Sequence, residues 1–544
     1  MPFWQPASAQ TSSNPTTPAA PPGTGVTAAA PNASQPPAPA SPRPASPNIL
    51  DADKLLREGD LDEAIDAYHK LIAKNEEMAL SYAGLARAYL KRHQVSDASA
   101  AAQKALDLAP TYPAVRTTYA EVLFRQGKLA DAEKEFVALI RENTPYPRAY
   151  LGMARISEAA SYHKQAKRLI DYAHDKDPDD PDIRKFWLHT LSREERMKAL
   201  RDYLNAKNGD DPEERSHVSV ELSLLEEEAS QPSHPCRLTS KLTSLQTDLR
   251  PMLYDPTHLR GYGLSVRLNG GTSATLLLDT GAGGILVDRK IAEKAGIRRV
   301  VETKIGGVGD KGDANGYIGY ADSIKIGDLE FQHCLIEVID QKKALGDDGL
   351  IGANVFSRFL VDLDFSNGKF RLNTLPTRPE DPQPAAALVS RNSTGPQPHD
   401  RYVAPEMKSY TPVYRFGHLL LLWTQVGKVP PKLFLLDSGA FGNTISPAAA
   451  REVTKVYGDS DTTIKGLSGK VNDVFRANSV TLTFGHLRQE NQDIVSFDTT
   501  ALSDSAGAEI SGTLGFALLR MLDVKIDYRD GLVDFQFDAN KWRR

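Results

Sequence analysis

Apolar residues recur at helical spacing between about residue 50 and residue 205, and the pattern itself repeats every 34 residues. The repeating positions are Ala64, Ala98, Ala132 and Ala166; Ala86, Ala120 and Ala154; and Pro113, Pro147 and Pro181. A recurring small residue lets two helices approach closely, and a recurring proline separates one helix pair from the next. The sequence therefore predicts a solenoid of helix pairs, with a half-repeat around Ala64 and a capping helix pair after Pro181.

A different pattern fills the C-terminal part of the chain, where short apolar runs lead directly into turns. The run LLL enters an Asp-Thr-Gly-Ala turn at Asp279, and the run FLL enters an Asp-Ser-Gly-Ala turn at Asp437, 158 positions later. Four downstream residues also recur, each 163 positions apart: Gly349, Gly352, Asp364 and Gly368 match Gly512, Gly515, Asp527 and Gly531. This collinearity predicts that one ancestral β unit has been duplicated.

Composition marks the boundaries between these regions. Residues 1–48 contain 13 of the 35 prolines, and Arg43 is their only charged side chain, so they bury too little apolar surface to fold alone. The predicted division is a tether at 1–48, a solenoid at 50–205, a connector at 206–250, a first β unit at 251–373, a Pro-rich linker at 374–405 and a second β unit at 406–540.

Charge and cysteine content exclude several classes of protein. The chain has 544 residues, 65 Lys and Arg against 70 Asp and Glu, and 40% apolar residues, which suits neither a nucleic-acid-coating protein nor a fully disordered one. Its apolar run in HLLLLWT, from Leu419 to Trp423, is far too short to cross a bilayer. Cys236 and Cys334, the two cysteines of the chain, are predicted to be incidental thiols, and a disulfide between them is the minor alternative.

The helical repeats resemble the tetratricopeptide repeat. In the stretch ALSYAGLARAYLKRHQVSDASAAAQKALDLAP, the positions typical of the family hold Tyr82, Ala86, Tyr89, Ala98 and Pro110. The resemblance implies a concave groove that binds a peptide or a protein partner. The other interpretation is a structural arm that positions the following units, because no cluster of Lys and Arg stands out across the repeats.

The duplicated β units resemble the retropepsin-like aspartic proteases, arranged in tandem as in the pepsin-like two-lobed fold. The shared features are the two Asp-Thr/Ser-Gly-Ala turns, the apolar-apolar-Gly segments ending at Gly352 and Gly515, and closing hairpins with turns at Gly368 and Gly531. The predicted fold class is therefore multidomain α + β, with an N-terminal α-helical solenoid and a C-terminal all-β, two-lobed acid-protease fold.

By this resemblance, Asp279 and Asp437 form a catalytic dyad that shares one proton and activates a water for peptide hydrolysis. The residues that would support the dyad are Thr280, Gly281, Ser438 and Gly439. The flaps that would cover an extended peptide are Ile305–Gly319 and Ile464–Phe475. Their bending points would be Gly306, Gly307, Gly466 and Gly469.

The resulting functional expectation is an aspartic endopeptidase that needs no cofactor and no metal. No H-E-x-x-H, G-x-S-x-G or phosphate-loop motif occurs in the sequence. Two alternatives stay open: an inactive scaffold that binds peptides or proteins, and an enzyme whose units pair between chains. The expected partners are a peptide or protein substrate and a protein in the solenoid groove, without nucleic acid or an integral membrane span.

The compartment is left open by the sequence. The segment Ala7-Ser8-Ala9 resembles the end of a cleaved export signal, but only MPFWQP precedes it. One expectation is therefore an exported protein whose start lies upstream, in the periplasm or outside the cell. The other is a cytoplasmic protein in which this tripeptide arises by chance.

Overall fold

A computed structural model describes residues 47–142, 146–206, 212–230, 236–256, 258–340, 348–379 and 399–537. The predicted tether lies outside these residues except for its last two positions, and most of the Pro-rich linker lies outside them as well. None of the helices among these residues combines the length and the hydrophobicity of a membrane span.

Antiparallel helix pairs form the first half of the structure. The helices are α1 (Pro47–Glu58), α2 (Leu61–Ala73), α3 (Met78–Lys91), α4 (Val95–Leu108), α5 (Pro113–Arg125), α6 (Leu129–Arg141), α7 (Pro147–Ala159), α8 (His163–Lys176), α9 (Pro181–Leu188), α10 (Arg193–Asn205) and α11 (Pro212–Ser230). The recurring prolines are the first residues of α5, α7 and α9, where the missing N–H costs no hydrogen bond. The recurring alanines are fully or almost fully buried between the paired helices.

The predicted half-repeat is wrong, because a complete helix pair begins the solenoid. Helix α1 packs against α2 and buries Ile49, Ala52 and Leu56 in the same core as Tyr68. The Tyr68 hydroxyl also donates a hydrogen bond to Asp53 of α1, with 2.5 Å between the oxygens. Pro47 begins this helix, so the predicted end of the tether at residue 48 falls within the first turn of α1.

Strands dominate the second half of the chain. In the first unit they are β1 (Arg237–Leu238), β2 (Leu245–Asp248), β3 (Arg250–Asp255), β4 (His258–Leu268), β5 (Thr272–Asp279), β6 (Ile285–Asp288), β7 (Arg298–Ile305), β8 (Ala314–Ile326), β9 (Leu329–Ile339), β10 (Gly349–Gly352), β11 (Phe359–Asp364) and β12 (Lys369–Thr374). Helix α12 (Arg289–Ala295) follows β6, and 3-10 turns span Ala353–Phe356 and Phe365–Asn367.

The second unit repeats this arrangement with the same order of landmarks. Its strands are β13 (Thr411–Pro412), β14 (Tyr414–Phe416), β15 (Leu419–Val426), β16 (Lys432–Asp437), β17 (Thr444–Ile445), β18 (Val456–Gly458), β19 (Lys465–Gly466), β20 (Gly469–Lys470), β21 (Val474–Phe484), β22 (Leu487–Phe497), β23 (Gly512–Gly515), β24 (Leu522–Asp527) and β25 (Leu532–Phe537). Its helices are α13 (Pro447–Arg451), α14 (Thr500–Ala506) and α15 (Phe516–Leu519), and a 3-10 turn spans Pro405–Met407.

These strands build two lobes joined by a shared sheet. Lobe 1 is a nine-stranded sheet in the order β1-β9-β6-β10-β5-β4-β8-β7, with β3 on β4, and lobe 2 is an eight-stranded sheet in the order β14-β15-β16-β23-β17-β22-β21-β18. A six-stranded sheet, β13-β25-β24-β11-β12-β2, takes strands from both units. The closing hairpins β11–β12 and β24–β25 meet in its centre, so the two units pair within a single chain.

The helical solenoid is docked on lobe 2 through a common apolar core. The rings of Phe124 on α5 and Phe416 on β14 lie 6.0 Å apart. The N–H of Glu509 donates to the carbonyl of Arg125 over 2.8 Å, and the Arg125 guanidinium donates to Asp504 over 3.1 Å. Other members of this core are Leu123, Phe136, Met153 and Ile156 from the helices and Leu419, Leu421, Leu433, Leu435 and Ile510 from lobe 2. Burial of this apolar area fixes the repeats against the β units.

The cysteines are not incidental thiols, so that prediction is wrong. Cys236 and Cys334 form a disulfide across 98 residues of chain. The antiparallel pairing of Arg237 with Gln332 brings the two sulfurs together, and the N–H of Cys236 donates to the carbonyl of His333 over 2.8 Å. The bridge therefore anchors the segment before the edge strand β1 to strand β9 of lobe 1.

Candidate active site

Each motif aspartate stands at the end of a buried strand, beside the end of a second parallel strand. Asp279 ends β5, where it pairs in register with Gly352 of β10. Asp437 ends β16, where it pairs in register with Gly515 of β23. The run of apolar residues before each aspartate is buried between neighbouring strands, and the Asp-Thr/Ser-Gly turn then carries the chain out of the sheet.

Reciprocal hydrogen bonds between Thr280 and Ser438 hold the two turns together. The Thr280 hydroxyl donates to the carbonyl of Leu436 over 2.8 Å and accepts from the N–H of Ser438 over 2.9 Å. The Ser438 hydroxyl donates to the carbonyl of Leu278 over 2.9 Å and accepts from the N–H of Thr280 over 3.0 Å. Both side chains are about 1% exposed. The structure thus brings these two predicted residues into one symmetric network.

The two glycines of the motifs let the carboxyl groups face each other. A Cβ added to Gly281 would lie 2.8 Å from the carboxyl carbon of Asp437, and one added to Gly439 would collide with the carboxyl group of Asp279. The Gly281 N–H donates to Asp279 over 2.8 Å, and the Gly439 N–H donates to Asp437 over 2.9 Å. Any larger residue would occupy the space of the opposite carboxylate.

Burial raises the pKa of both aspartates. Burial raises the pKa of Asp279 to about 8, and the negative charge of Asp437 acts in the same direction. Burial also raises the pKa of Asp437, against the opposing effect of the Ala440 and Gly439 N–H groups. Because two like charges this close cannot both ionise easily, the pair keeps one proton near neutral pH.

The two predicted flaps lie at matched places in the two units. In the first unit, Gly306 and Gly307 follow β7 and begin the connection to β8, which pairs antiparallel with β7. In the second unit, Gly466 and Gly469 belong to the short hairpin of β19 and β20. The assignment of these loops as flaps over a substrate stays a prediction.

Main-chain hydrogen bonds join the tips of these two loops. The N–H of Ser468 donates to the carbonyl of Val308 over 3.0 Å, and the N–H of Lys311 donates to the carbonyl of Ser468 over 2.8 Å. The N–H of Asp310 donates to the carbonyl of Lys470 over 3.0 Å. Gly309 lies so close to the main chain of Ser468 that a Cβ there would overlap it. No sequence pattern predicts this contact, because it depends on how the lobes face each other.

His418 lies near the dyad but was not among the residues predicted from the sequence. It lies in the turn between β14 and β15 of lobe 2, and its ring lies against Gly283 of lobe 1. A Cβ added to Gly283 would be 2.7 Å from Nδ1 of His418. Burial lowers the pKa of His418, and a hydrogen bond to the main chain of Gly281 opposes that shift. His418 thus supports the turn that carries Asp279. A single histidine outside any motif offers no sequence signal for this role.

A buried ion network crosses the helical repeats. The Arg148 guanidinium of α7 donates to Glu121 of α5 over 2.8 Å, to Asp180 over 2.6 Å and to Asp182 of α9 over 2.7 Å. These contacts link three successive repeats. Arg148 is therefore already neutralised by carboxylates of the chain itself, which favours a structural role for it over capture of a peptide carboxylate.

Two protein families match the chain. The tetratricopeptide repeat matches residues 55–104 and 93–156. The aspartyl protease family matches residues 264–355 and 424–518, one match containing each motif aspartate. The N-terminal region of the chain thus matches tetratricopeptide repeats, and each of the two β units matches the aspartyl protease family. The fold class predicted from the sequence is confirmed, with a helical N-terminal region and an all-β, two-lobed C-terminal region.

Solved structures include proteins that are similar to this chain. An aspartic proteinase from Irpex lacteus, known from a crystal structure, is 13% identical, with a TM-score of 0.34, and the match covers 55% of this chain and 99% of that one. No curated protein matches the chain.

Among the residues that the structure describes, no group of three or more His, Cys, Asp or Glu side chains could hold a metal ion.

Proposed function

We propose that this protein is an aspartic endopeptidase that hydrolyses peptide bonds with a water held between Asp279 and Asp437. The observation that carries the proposal is the facing pair of carboxyl groups, each lying against the glycine of the opposite motif. A pair with one shared proton supplies both parts of the chemistry, because the ionised carboxylate takes a proton from water and the protonated one donates to the leaving group.

The surroundings of the dyad support this chemistry. The Thr280–Ser438 network fixes the two turns relative to each other, and the main-chain N–H groups of the turns orient the carboxylates. The paired flap tips would exclude water from a peptide lying over the dyad. No cofactor enters the proposed reaction.

The test is cleavage of an unstructured protein such as casein, from about pH 3 to about pH 8, by the full chain and two variants. We expect activity that disappears in both Asp279→Asn and Asp437→Asn, because each change removes one partner of the proton-sharing pair. Asp322→Asn is the matched control, since Asp322 is exposed on β8 of the same lobe. Activity that survives in either dyad variant, or no activity at any pH, would refute the proposal, and the second result would favour the peptide-binding scaffold.

The repeats are proposed to bind protein substrates or partners beside the protease lobes. Their docking on lobe 2 supports this, because a protein held by the solenoid would keep a fixed distance from the cleft. Arg155 of α7 is a suitable probe of the repeats, since it is half-buried and its charge acts on Asp182 of α9 and on Arg125 of α5. Deleting the repeats would be a poor test, because it would expose the lobe 2 side of the shared core.

The experiment therefore compares a folded protein substrate with a short peptide. We expect Arg155→Glu to slow cleavage of the folded protein and to leave the short peptide unaffected, because the peptide needs only the cleft. Arg141→Glu, at an exposed site on α6, is the control. Equal effects of the two variants on both substrates would contradict a recruiting role and favour a structural arm.

We propose further that the protein works in an oxidising compartment, as the export expectation requires. The support is the Cys236–Cys334 disulfide, since such bonds persist mainly in extracytoplasmic proteins. Alkylation of the native protein without reduction should label neither cysteine. Labelling of both in protein isolated from its natural source would contradict this proposal.

A further inference from the structure

Strand β14 of lobe 2 lies between the solenoid and the body of its own lobe. Side chains alternate along a strand, so Tyr414 and Phe416 share one face, and both pack against the apolar core that lobe 2 shares with the solenoid. The Phe416 ring lies 6.0 Å from the Phe124 ring of α5, and α7 also lies against this strand. The position of β14 is therefore set by the helical repeats as well as by lobe 2.

Arg415, between these two aromatic residues, lies on the other face of β14. Its guanidinium donates hydrogen bonds to the main-chain carbonyl of Tyr528 and, over 3.4 Å, to that of Gly417. The central carbon of the guanidinium lies 6.0 Å from the centre of the Tyr528 ring. Burial raises the pKa of Tyr528, and the negative charge of Asp279 acts in the same direction, so this ring lies near the dyad. Arg415 thus ties the turn after β14 to the residues behind the dyad.

That turn reaches across to the other lobe. Gly417 has a φ of +62, a conformation that favours glycine, and the residue after it, His418, lies against Gly283 of lobe 1. The His418 ring also donates a hydrogen bond to the main-chain carbonyl of Gly281. One short segment of lobe 2 therefore contacts the solenoid on one side and the turn that carries Asp279 on the other.

The duplicated unit shows that the fold itself does not require these side chains. Strand β15 pairs with β16 in the same register as β4 pairs with β5, so positions 158 residues apart are equivalent. By this register, Pro251 takes the place of Arg415, and Arg260 takes the place of His418. Arg415 and His418 thus distinguish the lobe on which α5 is docked from its duplicate.

We infer that His418 is a positioning residue for Asp279, and that the docked solenoid, acting through β14 and Arg415, holds His418 in place. This inference rests on the proposed function. Closely packed interiors transmit strain, so a change on the solenoid side of β14 shifts the hydrogen bond to Gly281. A displacement of about 1 Å at a reacting group costs about 100-fold in rate, whereas peptide binding depends on contacts along the whole cleft. The repeats then contribute to the chemical step and not only to recruitment.

The first test is cleavage of a short unstructured peptide by the full chain, with kcat and KM measured separately. We expect His418→Ala to lower kcat by roughly tenfold to 100-fold and to leave KM within about twofold of the wild type. His418→Asn and His418→Gln each keep an N–H donor, and one of them should recover most of the rate. His486→Ala is the matched control, because His486 is exposed in the β21–β22 turn of the same lobe. A loss that neither amide variant restores would overturn the positioning role.

The second test asks whether the solenoid acts through the same turn. Phe124→Ala removes the ring that packs against Phe416, and it should lower kcat for the short peptide about tenfold. The double variant Phe124→Ala with His418→Ala should be no slower than His418→Ala alone, because both changes release the same turn. Leu71→Ala is the control, since Leu71 is buried in a core formed by residues of the first helix pairs.

Thermal melting of each variant sets an assay temperature at which all of them are folded, and Phe124→Leu replaces Phe124→Ala if the latter melts too early. Additive losses in the double variant, or equal losses in the Phe124 and Leu71 variants, would overturn the coupling to the solenoid. Wild-type cleavage that His418→Ala leaves unchanged would overturn this inference alone. No cleavage by the wild-type chain would overturn the proposed function and this inference together.

Discussion

Removing the hydroxyl of Thr280 or Ser438 should loosen the dyad and destabilise the protein. The two variants are Thr280→Val and Ser438→Ala. Each hydroxyl donates one hydrogen bond and accepts another, and both belong to side chains that are about 1% exposed. Each variant therefore leaves one buried N–H and one buried carbonyl without these partners.

The magnitude follows from those two groups. An unpaired buried donor or acceptor costs roughly 1–3 kcal/mol, so each variant, with two such groups, should lower the free energy of unfolding by about 2–6 kcal/mol. The loss should be similar for both, because Thr280 and Ser438 occupy equivalent places in the two units. The turns carrying Asp279 and Asp437 would also shift, and a displacement of about 1 Å at a catalytic group can cost about 100-fold in rate.

The assay combines urea unfolding with peptide cleavage. Tryptophan fluorescence follows unfolding, with Trp423 on β15 as the probe in lobe 2 and Trp187 on α9 as the probe in the repeats, and the cleavage rate reports on the geometry of the dyad. Thr275→Val is the control, because Thr275 lies on β5 but is only half-buried. The reasoning would be refuted if Thr280→Val and Ser438→Ala both matched the control in unfolding free energy and in cleavage rate. The hydroxyl network would then contribute neither to stability nor to the geometry of the dyad.

Three further predictions concern the dyad charge, the flaps and the repeats. The pKa of Asp279 is about 8 in the folded protein, against 3.8 in the unfolded chain. Protonated Asp279 therefore stabilises the folded state, and this stabilisation is fully present below about pH 4 and is lost as the pH rises through 8. The melting temperature of the wild-type chain should therefore fall more steeply over this range than that of Asp279→Asn. Gly309→Ala should raise KM for a peptide by separating the flap tips, because the added Cβ would overlap Ser468. Arg148→Ala should lower the unfolding free energy of the repeats by roughly 3–5 kcal/mol, since three carboxylates lose a common partner.

Each of these predictions has a matched control. Parallel curves of melting temperature against pH for the wild type and Asp279→Asn would show that Asp279 has an ordinary pKa; other raised carboxyl groups, such as Asp523, contribute equally to both curves. Gly312→Ala adds a Cβ in the same loop at φ +73 with open space around it, so an equal rise in KM would point to backbone strain rather than flap contact. Arg141→Ala is the exposed control for the repeats, and a loss no larger than its own would contradict the role of the network.

The sequence alone was enough to predict the two kinds of fold and the candidate dyad. Helical periodicity, the 34-residue repeat and the paired Asp-Thr/Ser-Gly turns are local patterns, and each follows from residues close together in the chain. The duplication added a further constraint, because two copies with the same landmarks must fold alike. For that reason Asp279 and Asp437 could be paired before their distance was known. Their catalytic role stays a prediction.

Other features were decided only by the tertiary structure, because they join residues that are far apart in sequence. The docking of Phe124 against Phe416 depends on the shapes of two folded surfaces, and the sequence of neither segment has a feature that predicts the contact. The Cys236–Cys334 bridge depends on strand register across 98 residues, and the contact of His418 with Gly283 depends on how lobe 2 meets lobe 1. Local propensity and periodicity set the elements of this protein, whereas the packing of distant apolar and polar side chains set their arrangement around the cleft.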